Sequence, residues 1–341
     1  MVMTKVAFFQ RSLLVLVIVL APILIWYLFD IILIIMGAIL VAILIQLVAE
    51  PFTAWLKLPP TAALALSTIV IVVVFGGAGY AFGTRISGEL QDVIQRASSG
   101  QNSIVDAIRH SDLGNFALSH IQAQQFSLAD IIKGAFSLSA GLIEGIVVIV
   151  VAGLYFAIQP DLYRQGLLQL FPPPWHPNAE ETIKDIGNSL RLWLLGQLIQ
   201  MAAVGVLSTL AVWLIGLPSP LALGLIAAVA EFVPYAGPIL AAIPAVLVAA
   251  AQGIDAVILT ALAYAFIHQI EGHMLAPFIQ RYMVFIPPAV MLLSIVAIGF
   301  LFGTLAIIFA SPITVVVFVL VKKLYVRDGL GEVTAIPRES P

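Results

Sequence analysis

"LWLLGQLIQMAAVGVLSTLAVWLIGLPSPLALGLIAAVA" fills residues 192–230 without one Asp, Glu, Lys, Arg or His. About 20 apolar residues suffice for a helix to cross the hydrocarbon core of a bilayer, so this run holds one span and the start of another segment. "GLPSP" (216–220) supplies the turn between them. Charge-free runs of the same kind lie at 12–29, 31–49, 58–84, 232–254 and 282–321. The 341-residue chain is 62% hydrophobic and 10% charged, with a mean hydropathy of +1.11, whereas a soluble domain carries about 25% charged residues. The class is an all-α polytopic membrane protein. A formal net charge of −3 offers no electrostatic footprint for nucleic acid. The lack of cysteine excludes disulfides and thiolate metal sites. Behind Lys5 and Arg11, the run 12–29 lacks a small-residue cleavage site and leads into a second run, which reads as an uncleaved first span.

From that run outward, the chain divides into four regions. Residues 1–83 hold three spans, with a tight turn at Asp30 between the first two. In the region 84–136, Arg85, Glu89, Asp92 and Arg96 share one helical face and Ile86, Leu90, Val93 and Ile94 the other. This describes an amphipathic helical insertion outside the membrane. Residues 137–325 form the core and 326–341 a short polar tail. Ser127 is positioned to cap a helix running to Ile158. "FPPPWHPN" (171–178) is a rigid break, and Asn178 with Glu181 resembles a capping pair for the helix entering the span at 190–215. Residues 221–251 would measure roughly 46 Å as one helix, against a core of about 30 Å. That segment and 282–321 are each a tilted helix with a tail, or a hairpin that leaves by the face it entered. The expectation is about eight membrane-crossing segments, at least one of them discontinuous or re-entrant. Lys and Arg are concentrated in cytoplasmic loops. Both termini are therefore expected inside, in an inner (cytoplasmic) membrane.

Two stretches carry candidate chemistry. In "AEFVPYAGP" (230–238), Pro234 and then Gly237-Pro238 interrupt the helix. In lipid, a break is tolerated only where the freed backbone is buried in protein or lines a wet cavity, and transporter sites are often built from such discontinuous helices. Glu231, just before the break, is the only Asp, Glu, Lys, Arg or His between Arg191 and Asp255. The cost of an intramembrane carboxylate points it toward the bundle interior. The bland reading is that the prolines merely shape a tilted helix and Glu231 lies near an interface.

"AFIHQIEGHMLAP" (265–277) holds His268, Glu271 and His273. His268 and Glu271 share a helical face, and His273 joins them only if Gly272 ends or distorts the helix. The order H-x-x-E-G-H departs from the zinc-protease patterns H-E-x-x-H and H-x-x-E-H. A polar pathway, a metal site and a hydrogen-bonded network holding helices together all remain open. Glu144 is either a pathway residue or an interfacial one. No phosphate-binding glycine loop follows a strand and no Ser/His nucleophile pair is recognisable, so neither an ATPase nor another enzyme is indicated, and no cofactor or resident metal is expected.

The stretches "LWLLGQLIQ" (192–200), "IGLPSPLALGLIAAVAEFVPYAGPILAAIPAVLVA" (215–249), "HQIEGHMLAP" (268–277) and "LFGTLAIIFASP" (301–312) occur in this order. Together they resemble the autoinducer-2 exporter (AI-2E) family of bacterial and archaeal membrane proteins, over about residues 12–325. The likeness is most specific at Pro234-Tyr235-x-Gly237-Pro238 and at Gln269-x-Glu271-Gly272 with Pro277. The family form of the second motif reads Q-Q-x-E-G-N, so His268 and His273 replace a glutamine and an asparagine. Both replacements add groups that titrate near neutral pH. The resemblance implies a multi-span transporter without an ATPase domain, with autoinducer-2 export and sodium/proton antiport among the family's activities, and it is compatible with a homo-oligomer.

The expected function is secondary transport of a small polar solute outward, coupled to protons. Glu231 is the expected proton carrier, with His268 or Glu271 as its partner, and the two motifs meet near mid-membrane. Tyr235, Gln269 and His273 would hydrogen-bond the solute. One alternative is a sodium/proton antiporter in which carbonyls freed at Pro234 and Pro238 coordinate the ion. Another is a non-transporting scaffold that binds a partner through 84–136.

Overall fold

The computed structural model of the chain describes residues 20, 23–24, 26–73, 140–275 and 286–331. The amphipathic region 84–136, most of the first apolar run, the Ser127 cap, Pro277 and the tail beyond 331 lie outside them. The described residues form helices α1 (Phe29–Ala54), α2 (Pro60–Val73), α3 (Ala140–Ile158), α4 (Pro160–Leu168), α5 (His176–Ile215), α6 (Pro220–Ala230), α7 (Gly237–Ala250), α8 (Ile254–Ile270), α9 (Pro288–Phe302) and α10 (Thr304–Leu320). Such aliphatic runs become helices because the helix satisfies each backbone N–H and C=O within its own segment, as a bilayer demands.

Four stretches are long and apolar enough to cross a membrane: Phe29–Ala54, Pro173–Ile215, Ile254–Leu275 and Leu305–Arg327. A fifth, Gly145–Ile158, bends by 90° into Pro160–Leu168. The described residues thus supply four or five crossings where the sequence suggested about eight. Part of the difference lies outside the described residues, which leave out most of the run 12–29 and the end of the run 58–84, and part in the segment 221–251, which folds back on itself. Gln252 Nε2 donates to the Gly216 carbonyl at 3.4 Å, so the two ends of the 217–251 segment meet. Its arms pack through Ala222, Leu223 and Ala227 of α6 and Ala241, Ala245, Val248 and Ala249 of α7. With 11 and 14 residues, the arms reach only roughly 16 and 21 Å. The segment is a helical hairpin whose two ends lie together. The run 282–321 is also broken, at Gly303 (φ +89°). There α9 folds back along α10, with Met291 and Ile295 packed near Ala310.

Two boundaries differ from expectation. No tight turn separates the first two runs at Asp30. Leu28 N–H donates to Leu24 O and Ile32 N–H to Leu28 O, so helical bonding continues into α1, whose first turn holds Asp30. Nor does Asn178 cap α5. That helix starts at His176 behind the short 3₁₀ turn Pro173–Trp175, with a proline in its first turn, the position where the missing N–H costs nothing.

α5 is the spine. Its 40 residues measure roughly 60 Å, twice the hydrocarbon thickness, so its charged first half projects beyond its apolar second half. Arg191 pairs with Glu50 of α1, and the buried Lys323, in the π-helical extension of α10 (Val321–Arg327), pairs with Asp185. Lys323 Nζ also lies 3.5 Å from Glu181. Lys184 lies 3.1 Å from Glu180, and its hydrogen bond and charge hold that carboxyl below the usual range. By these contacts and by their places in the chain, all the described Lys and Arg residues gather at one end of the bundle: Lys57, Arg164, Lys184, Arg191, Lys322, Lys323 and Arg327. The opposite end holds the Gly216–Gln252 junction and Phe302 stacked on Phe29 at 3.4 Å.

α5 and α6 touch through Gly205 and Gly224, the small-residue contact typical of membrane helices. A Cβ on Gly224 would fall 1.8 Å from Thr209 Oγ1 and 2.8 Å from the Gly205 carbonyl oxygen. Gly224→Val is therefore expected to lower stability by about 1–3 kcal/mol, the range for overpacking. Thermal unfolding in detergent would register the loss, and an unchanged midpoint would contradict this packing.

Candidate functional site

The tip of this hairpin is built by its two prolines. Helix α6 ends at Ala230, and Phe232 and Val233 turn back to the carbonyls of Val229 and Ala230. Pro234 then breaks the helix, and Tyr235 takes φ +65° while Ala236 N–H donates to Pro234 O at 2.8 Å. This is a three-residue turn with a bulky side chain in the left-handed region, a strained arrangement of the kind found at functional sites. Gly237 is required because a Cβ there would sit 2.5 Å from the Ala230 oxygen.

The tip holds Glu231 almost fully buried, at 1% exposure. Its main-chain oxygen accepts a hydrogen bond from Gln197 Nε2 of α5 at 2.6 Å. Gln197 is itself buried. Reading the residues alone passed it over, although a lone amide in a charge-free run must find a partner in lipid and was a usable signal. The Glu231 carboxyl faces that of Glu271, the other buried carboxyl among the described residues. Glu231 Oε2 has no hydrogen-bond partner among the described residues. Two carboxylates in apolar surroundings repel unless a proton or a cation lies between them.

Glu271 is brought there by the end of α8, which widens into a π-turn over Glu271–Leu275, a bulge frequent at functional sites. His268, one turn earlier, places Nδ1 3.2 Å from Glu271 Oε2. Its ring remains about half exposed on a groove of about 520 Å³ between α7 and α8. Tyr235, Pro238 and Tyr264 share that wall with aliphatic residues such as Ile243 and Val246. A mainly apolar pocket with a few polar groups is the usual form of a small-molecule site.

Glu231, Glu271, His268 and the Pro234–Pro238 turn are thus brought together, while the rest of the second motif turns away. Gln269, Gly272 and His273 are exposed. His273 Nδ1 lies 3.2 Å from the Gln269 carbonyl oxygen, so the π-turn at Gly272 does not bring His273 to the other two. Among the described residues no group of three or more His, Asp and Glu side chains converges to hold a metal. The Glu144 side chain and Pro277 lie outside the described residues. Gln197 is six residues from Arg191, roughly 9 Å along α5. The carboxyl pair therefore sits toward the charged end of the bundle rather than at its middle.

The freed carbonyls of the break are mostly occupied. Those of Val229, Ala230, Val233, Pro234 and Ala236 accept backbone N–H groups, and that of Glu231 accepts Gln197. Any ion held here would take its ligands from the carboxyl groups rather than from Pro234.

A family model described as "AI-2E family transporter" matches residues 13–325. Among curated relatives, the chain is 29% identical over 302 residues to "Putative transport protein YrrI" of Bacillus subtilis (strain 168), covering 82% of this chain and 84% of that protein. It is 26% identical over 277 residues to a protein of Thermotoga maritima with the same general description, covering 80% and 84% of the two chains. A further relative, "Putative transport protein YueF" of Bacillus subtilis (strain 168), matches at 28% identity over 187 residues, covering 53% of this chain and 51% of that one.

Proposed function

The chain belongs to the AI-2E transporter family, and from that premise we propose that it moves a small solute outward in exchange for protons carried by Glu231 and Glu271. The observation that carries this reading is the meeting of two buried carboxyls from different elements at the tip of a helical hairpin. Such a pair binds and releases a proton as its surroundings change. His268 connects it to the groove, since its ring bonds Glu271 on one side and lines the groove on the other. In this reading the groove receives the solute, with Tyr235 and His268 offering hydrogen bonds. For an autoinducer-2-like molecule, small and rich in oxygen, the mainly apolar groove would offer hydrogen bonds only from its few polar side chains.

The clustering of the described Lys and Arg residues at one end supports a cytoplasmic position for that end. The carboxyl pair then opens nearer the cytoplasm, and the hairpin enters from the outside. The decisive experiment is proton flux in liposomes holding the purified protein, driven in turn by sodium and by candidate-solute gradients. Flux evoked by a solute gradient supports the proposal, and silence under every gradient overturns it. His268→Gln is expected to slow that flux by about tenfold without abolishing it, because the ring assists proton transfer while the carboxyls remain. Rates equal to wild type in the same assay would remove His268 from the path.

A second reading is favoured by the unpartnered Glu231 Oε2: a sodium ion bridging the two carboxyls. Proton release driven by sodium alone, without organic solute, would single it out.

A further inference from the structure

Apart from the carboxyl pair, the core contains a second polar layer, on the side away from the charged end. Ser208 of α5 and Thr260 and Tyr264 of α8 are 1%, 0% and 7% exposed. The hydroxyls of all three lack a hydrogen-bond partner among the described residues. Tyr264 packs in one cluster with Val204 and Val212 of α5, which lie one turn either side of Ser208. An unsatisfied buried hydroxyl is costly, and three in one place call for an explanation.

Their placement is ordered. The buried positions of α8 are Thr260, Tyr264 and Ile267, followed by Glu271, a single face at helical spacing. On α5, Gln197, Val204 and Ser208 likewise share the buried face. The hydroxyls therefore lie on the same buried faces as Glu271 and Gln197, toward the uncharged end, with Ile267 and Val204 between. His268 joins the two layers: it bonds Glu271 and lies one turn from Tyr264, and both rings line the groove. Thr260 is five residues from Asp255 in the first turn of α8, at the uncharged end.

We propose that Ser208, Thr260 and Tyr264 form a hydroxyl-lined, water-holding step through which protons pass between the Glu231–Glu271 pair and the uncharged end of the bundle. This rests on the proton-coupled reading of the carboxyl pair and adds its second access route. A hydroxyl suits the task because it donates one hydrogen bond while accepting another, so a proton can enter one side as another leaves. Buried waters typically bond such otherwise unsatisfied groups.

The test uses full-length protein in liposomes with an internal pH dye, comparing wild type, Glu231→Gln, Tyr264→Phe and the double variant Ser208→Ala/Thr260→Val. Thermal unfolding of each is measured in detergent. Tyr264→Phe is expected to slow proton flux by roughly a hundredfold, the low end for one positioned proton-transfer group. Its unfolding midpoint should stay level or rise, because an unsatisfied hydroxyl has been removed. The double variant should show the same combination of slower flux and retained stability. Wild-type flux in Tyr264→Phe, beside its loss in Glu231→Gln, would overturn the step and leave the carboxyl pair standing. Loss of flux accompanied by a lower midpoint in both hydroxyl variants would make these residues structural, which also overturns it. A wild type that moves no protons would remove the carboxyl reading and this step with it.

Discussion

Glu231→Gln is expected to reduce solute-driven proton flux by at least about a hundredfold, the scale of a lost proton-transfer group, while leaving the protein folded. The substitution preserves size and the main-chain oxygen that Gln197 holds. It removes the group that exchanges a proton with Glu271. Stability should not fall, because a neutral amide is less costly to bury than a charge. Glu271→Gln should show the same loss if the carboxyls act as one unit, and the double variant should be no worse than either single one. That non-additive pattern distinguishes a shared proton from two independent sites. Proteoliposome flux with each variant, at matched protein incorporation, decides the matter. Full coupled flux in Glu231→Gln would exclude the proposed mechanism.

The second large effect concerns folding. Lys323 is 1% exposed yet charged, and it is held by Asp185 and Glu181 of α5. Lys323→Ala is expected to destabilise the protein by about 3 kcal/mol, the lower part of the range for breaking a buried ion pair, because both carboxylates retain some solvent contact. Lys323→Met should cost nearly as much. It restores the packing of the aliphatic stem but still leaves Asp185 without its cation. Lys323→Met combined with Asp185→Leu should recover most of the loss, since replacing both partners by apolar groups is often neutral. Thermal unfolding in detergent reads all three. A Lys323→Ala midpoint equal to wild type would show that the pair contributes nothing to holding α10 against α5.

Much of the chain was legible residue by residue. The absence of charge over 192–230 and five further runs fixes a membrane protein, because an unpaired charge in hydrocarbon is costly wherever the chain goes. Pro234 and Gly237-Pro238 mark the break, because their backbones cannot carry an unkinked helix. Glu231 is legible as a buried carboxyl because no other acidic, basic or histidine side chain lies between Arg191 and Asp255. His268 and Glu271 are legible as a pair by helical spacing alone, and they do meet, at 3.2 Å. His273 is held apart from that pair, beside the Gln269 carbonyl at the π-turn.

Whether 217–251 crosses or turns back was not legible. An apolar run satisfies the bilayer equally well as a span or as two short arms, so its composition is the same in either case. The outcome depends on contacts between distant residues: Gln252 with Gly216, Gln197 with Glu231, Lys323 with Asp185. The same holds for the facing of Glu231 and Glu271, which belong to different elements. Sequence by itself determined which groups lipid would not tolerate and where helices had to break. Only the tertiary structure decided which of those groups satisfy one another, because hydrogen bonds and ion pairs act over about 3 Å, whatever the separation along the chain.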